Sequence, residues 1–224
     1  MANIEDFDAQ VMLDKAQEKF EENKSYIYIV LVALIVVVGG FWWYNSNKET
    51  KTTEANALLW KVGDSFENGD FESAINGKLD ANGIQGVGYK SISENYSGTD
   101  AGEIAAYNLG VSYLNQGKFN EAVNALEGVS FGDEIVGAVA KGALGDAYFE
   151  LGEADNAISS YSSAVSHSDN EFTAPIYLKK LAIAQESVQD FKDAVATYTK
   201  LKEEYPTSQE AQGVEKYISL LENK

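Results

Sequence analysis

From about residue 52 to the C-terminus, apolar and polar positions alternate with the three-and-four spacing that puts one apolar stripe on each helix. The pattern predicts a succession of short amphipathic helices. One stretch departs from it. Tyr26 to Tyr44, YIYIVLVALIVVVGGFWWY, is apolar on every side, and the uncharged run around it reaches from Ser25 to Asn47. At about 1.5 Å per residue, roughly 19 such residues reach about 28 Å, close to the hydrocarbon thickness of a bilayer. A helix crossing lipid satisfies its backbone internally, and Tyr26, Tyr28, Trp42, Trp43 and Tyr44 place amphipathic rings at both ends of the run. Nothing else in the chain is apolar enough to enclose such a helix. No small-x-small cleavage pattern follows it, so the stretch reads as one uncleaved membrane span. Ahead of it, residues 1–25 form a short acidic tail with helical spacing, in which Phe7, Val11, Leu13 and Phe20 are interleaved with Asp6, Asp8, Asp14, Glu18, Glu21 and Glu22. Three lysines precede the span (Lys15, Lys19, Lys24) and two follow (Lys48, Lys51), a bias too small to orient it.

Behind the span the chain repeats itself. AAYNLGVSYLNQGKFNEAVNALEGV (105–129) aligns with KGALGDAYFELGEADNAISSYSSAV (141–165) at an offset of 35. Leu109, Gly110, Tyr113, Gly117, Ala122 and Leu126 match Leu144, Gly145, Tyr148, Gly152, Ala157 and Tyr161. A third copy (174–206) keeps Leu181, Ala182, Ala194, Tyr198 and Pro206 but has Gln185 in place of Tyr and Gln189 in place of Gly. A degenerate copy upstream carries Gly69, Asp70, Phe71 and Ala74, and Gly-rich residues 77–88 interrupt it before a second paired helix at about 84–96. Repetition at this period predicts stacked helical hairpins. Gly110 and Gly145 read as close crossings, Gly117 and Gly152 as turns needing positive φ. Pro206 stops the last hairpin, and Thr207 or Ser208 caps a final helix, Gln209 to Leu221.

Composition removes whole classes of chemistry. There are 17 Lys, no Arg, one His and no Cys against 35 Asp and Glu, a net charge of −18. Such a chain repels phosphate backbones and has no guanidinium fork, which argues against nucleic acid. Without Cys there is no disulfide, thiolate metal site or Cys nucleophile. His167 falls where a helix ends, with no nucleophile or metal cluster to serve, and is expected exposed at that helix C-terminus. Glu203-Glu204 and Asp133-Glu134 read as solvated acids, and GVGYKS (86–91) lacks the spacing and ending of a phosphate loop. The expectation is a protein that is not an enzyme and uses no cofactor, metal or small-molecule substrate.

The repeat motif resembles the tetratricopeptide repeat. The resemblance implies an all-α fold: a single N-terminal transmembrane helix, then an α-solenoid of about 3.5–4 hairpins and a C-terminal capping helix. On this division residues 1–25 are the tail, 26–44 the span and 45–224 the repeat domain, with repeats at about 52–97, 103–136, 138–171 and 175–208 and a cap at 209–222. In tetratricopeptide stacks, positions 2, 5, 9 and 12 of each first helix line a concave groove. Carried onto this sequence these are Ile104, Tyr107, Val111 and Leu114, then Val139, Gly142, Asp146 and Phe149, then Ile176, Lys179, Ile183 and Glu186. The Lys and Asn that carboxylate-clamp adaptors use are missing, which argues against a terminal carboxylate as ligand. An apolar helix or an extended unfolded segment from a partner fits such a groove; so does a lid from the chain's own N-terminal loop or capping helix.

Short tail, single span and repeats close behind it are similar to the YfgM-type family of inner-membrane tetratricopeptide proteins. That resemblance implies a cytoplasmic tail and periplasmic repeats at the bacterial inner membrane. It implies Sec translocon subunits and a PpiD-like periplasmic chaperone as partners, with unfolded secretory proteins as further candidates.

Overall fold

The structure is a computed structural model that describes the backbone of residues 4–224; the side chains of residues 1–10, 14, 16, 22, 27 and 43–48 lie outside the description. The positions expected for Phe7, Asp6, Asp8, Asp14, Glu22, Trp43 and Tyr44 therefore fall outside the described side chains. The described residues form ten helices and no strand beyond one isolated bridge between Leu79 and Gln85. The helices are α1 (Ile4–Glu67), α2 (Phe71–Asn76), α3 (Tyr89–Asn95), α4 (Asp100–Asn115), α5 (Phe119–Leu126), α6 (Glu134–Glu150), α7 (Ala154–His167), α8 (Ala174–Ser187), α9 (Phe191–Glu204) and α10 (Val214–Leu221). The chain divides into two compact units, Met1–Thr50 and Lys51–Lys224.

In the first unit, Asn23–Trp42 is long and apolar enough to cross a membrane, and none of it is buried within the protein. Leu, Ile and Val side chains from Ile29 to Val38 are more than 45 % exposed, as suits a helix whose solvent is not water.

The second unit is a stack of hairpins. The end of α1 pairs with α2 and α3, then α4 with α5, α6 with α7 and α8 with α9, and each buries its apolar stripe against the next. Sixteen of the 32 buried apolar residues are alanine, so the core is made by close helix approach more than by bulk. Gly145 shows why: a Cβ there would lie 2.6 Å from the Tyr161 ring, and one at Gly110 would collide with Leu126. One turn recurs four times. Gly69, Gly117, Gly152 and Gln189 hold φ of 73°, 70°, 77° and 63°. Each time the next residue's N–H reaches back five positions, from Asp70, Lys118, Glu153 and Asp190 to the carbonyls of Ser65, Tyr113, Tyr148 and Gln185, at 2.9–3.0 Å. This is the Schellman closure, and it identifies the upstream copy as a true hairpin turn.

Three details differ from the sequence reading. α3 starts at Tyr89, well after 84, because Gly86 and Gly88 press their backbones against Lys78 and Ile75 and keep the loop out of helix. That loop is built: Asp80 accepts the N–H groups of Asn82 and Ile84 at 2.8 Å, and the Gln85 amide donates to the carbonyls of Asn76 and Gly77. The final helix starts at Val214, not Gln209, because Gly213 adopts φ 76° and interrupts it. Ser208 caps the preceding turn through Ala211 N–H, and α10 still closes the stack, burying Val214 and Leu221 against α8 and α9. His167 is half-buried, not exposed: its Nε2 is 3.0 Å from the Asp133 carbonyl, over Gly137.

The left-handed turn gives a prediction in two directions. Gln189 bears the strain that glycine avoids, so Gln189→Gly raises stability by about 0.5 kcal/mol and Gly152→Ala lowers it by about 1 kcal/mol. Urea unfolding midpoints of the solubilised full chain measure both; unchanged midpoints would remove this turn as a constraint.

A candidate partner-binding groove

The first helices of the three complete hairpins, α4, α6 and α8, stand side by side. Their inner faces, with Phe119 of α5 and Tyr161 of α7, enclose an open groove of about 700 Å³. Residues three and four apart share a helix face, so the lining follows each helix in steps. Tyr107, Val111 and Leu114 come from α4; Val139, Asp146 and Phe149 from α6; Ile183 from α8. Seven of the ten positions expected to bind a partner are thus brought together.

The other three are elsewhere. Ile104 and Ile176 lie one turn N-terminal of the groove, 40 % and 38 % exposed, on its lip. Lys179 does not line it; its neighbour Lys180 does. Gly142 does not line it either, because the Tyr177 ring lies across it in the space a Cβ would take. Glu186 accepts the Tyr198 hydroxyl at 2.6 Å and joins the α8–α9 contact.

Sequence reasoning missed the polar centre. Lys180 Nζ sits 2.6 and 2.7 Å from the two oxygens of Asp146, and the Tyr161 hydroxyl donates to Asp146 Oδ1 at 2.8 Å. The Tyr161 and Tyr177 rings stack with centroids 6.5 Å apart, and the Lys180 ammonium lies 6.0 and 5.9 Å from them. Tyr107 meets Phe131 edge-on at 5.9 Å. The spacing does not separate the two lysines, because Lys179 and Lys180 each lie three or four residues from Ile176 and Ile183; in the structure Lys180 lines the groove with Tyr177 and Ile183, in steps of three. The groove is apolar-walled and holds a neutralised ion pair. Neither the 77–88 loop nor α10 contributes to its lining, so the self-made lid is not found among the described residues.

Burial first, and the Asp146 charge second, raise the phenol pKa values of Tyr161, Tyr177 and Tyr107 above the ordinary 10.0. Tyr198 and Tyr205 are raised by burial and by the carboxylates they bond, Glu186 and Asp169. Tyr148 is pushed up to about 12, mainly by donating to Glu127.

Comparison with known families agrees with this architecture. One tetratricopeptide repeat profile matches residues 105–129 and 180–208, and a second matches 138–168. The chain therefore carries tetratricopeptide repeats, a module for protein–protein interaction, within an all-α fold. A comparison with curated proteins finds no match.

The tyrosines predict an alkaline limit. A phenol whose folded pKa exceeds its unfolded value contributes stability that is complete below about pH 10 and is lost as pH rises through the folded pKa. Stability is thus flat near neutrality and falls above pH 10, with phenolate absorbance from Tyr161, Tyr177, Tyr198 and Tyr205 appearing only as the fold opens. Simultaneous recording of absorbance and circular dichroism during an alkaline titration checks this. Full phenolate appearance with helicity intact would contradict it.

Proposed function

We propose that the chain is a membrane-anchored scaffold that holds a protein segment in the α4–α6–α8 groove. The observation that carries the reading is a 700 Å³ apolar-walled groove on a tetratricopeptide stack, in the same chain as a helix fit to span a membrane. Residues 26–44 cross the bacterial inner membrane once, residues 1–25 lie in the cytoplasm, and residues 45–224 work in the periplasm as repeats 52–97, 103–136, 138–171 and 175–208 with the cap at 209–222. The YfgM resemblance supports the location and names the machine: the chain stands beside the Sec translocon and brings a PpiD-like chaperone to emerging secretory proteins. No bond is made or broken. A periplasmic chaperone acting alone, or an assembly factor for an envelope complex, would use the same groove, and the co-purified proteins separate these readings.

Affinity purification from native membranes in mild detergent is expected to recover Sec subunits with a periplasmic chaperone. The Tyr107→Lys/Phe149→Lys pair places two charges on the groove wall and should reduce that recovery at least about tenfold without loss of helicity. Recovery of neither partner sinks the translocon assignment, and undiminished recovery by the double variant rejects the groove.

A further inference from the structure

The groove does not end at the residues that line it. On each of the three helices the inward face continues one turn toward the N-terminus into an isoleucine: Ile104 before Tyr107, Ile135 before Val139, Ile176 before Lys180. These isoleucines are 40 %, 46 % and 38 % exposed, and Phe172, in the turn before α8, is 73 % exposed. An Asn170 side chain that accepts the N–H groups of Phe172 and Thr173 at 2.8 Å holds that turn. An apolar lip therefore runs into the groove along the helix axes. From Ile135 to Glu150 on α6, at about 1.5 Å per residue, the lip and groove together are about 22 Å long, four helical turns.

Charge selects among segments of that length. α4, α6 and α8 together carry six carboxylates against three lysines, and the unit from Lys51 onward has 27 Asp and Glu against 13 Lys, a net charge of −14. The lysine that reaches the groove, Lys180, is already held by both oxygens of Asp146. Glu150 lines the far end with no ion pair among the described residues. An acidic segment would meet uncompensated repulsion here, whereas a basic one finds a waiting carboxylate.

Building on the groove reading above, we infer that its occupant is an amphipathic, basic helix of about four turns from a partner protein, lying along α6 with its apolar side on the Ile104–Ile135–Ile176 lip and the Tyr107–Phe149 wall and a Lys or Arg at Glu150. The helix is taken as a fourth member of the α4–α6–α8 layer, by the same stripe-in-groove packing that holds the stack.

Fluorescence anisotropy tests this with the full chain in lipid nanodiscs. The probes are three labelled peptides of about 16 residues: an amphipathic Leu/Lys helix, a Leu/Glu helix of the same pattern, and the Leu/Lys sequence broken by two prolines. Binding is read as the difference from the Tyr107→Lys/Phe149→Lys chain in identical nanodiscs, which cancels uptake by lipid. The Leu/Lys helix is expected to bind at least about tenfold more tightly than either of the others. Glu150→Lys and, separately, the exposed pair Ile104→Ser/Ile135→Ser should each weaken it about tenfold with helicity unchanged. Equal binding of the Leu/Glu or proline-bearing peptide, or no effect of Glu150→Lys, overturns the basic helix while leaving the groove as the site. No difference between wild type and the double lysine chain for any probe overturns both the helix and the groove.

Discussion

Where α4 crosses α5, Gly110 leaves an opening that Leu126 enters, and where α6 crosses α7, Gly145 does the same for the Tyr161 ring. A methyl group at either place would force the helices apart by more than a packed interface tolerates. The separation of the two helices within a hairpin is thus set by what is missing from one of them. Alanine repeats the device more gently, at Ala122, Ala157 and Ala194 on the second helices. Because each hairpin stacks on the one before, this spacing propagates, and the curvature of the inner face follows from it.

The groove is a product of the same spacing. Gly142 accepts the Tyr177 ring across α6, which stacks it on Tyr161 and brings Lys180 over both rings to Asp146. A residue with a side chain at 142 would displace Tyr177 and with it the polar centre. The groove's charge is accordingly internal to the fold: the Asp146–Lys180 pair orients the rings and leaves Glu150 as the carboxylate open to a partner.

Much of this was legible from residue order. Gly110, Gly145, Gly117 and Gly152 announced crossings and turns because few other residues fit them, and the all-apolar run from Tyr26 needed no alignment to stand out. What stayed hidden has physical causes. Gln189 occupies a left-handed turn that glycine usually fills, so local propensity argued against a turn that the surrounding hairpin imposes. The final helix is five residues shorter than its sequence pattern predicts, because Gly213 looks no different in sequence from a glycine tolerated within a helix. Lys179 and Lys180 are both within three or four residues of Ile176 and Ile183, so residue order alone leaves the choice between them open, whereas the lining of α8 runs through Tyr177, Lys180 and Ile183.

The 27 acids of the repeat unit outnumber its 13 lysines, and several accept from phenols: Tyr148 donates to Glu127, Tyr198 to Glu186 and Tyr205 to Asp169, while Tyr161 donates to Asp146 beside its Lys180 partner. A bond between a neutral donor and a carboxylate is short-ranged and barely screened, whereas attraction between a −14 surface and a cationic ligand weakens as electrolyte is added. Ionic strength therefore acts on the two properties separately. Added electrolyte that loosens the hold on a partner leaves the scaffold's own joints closed.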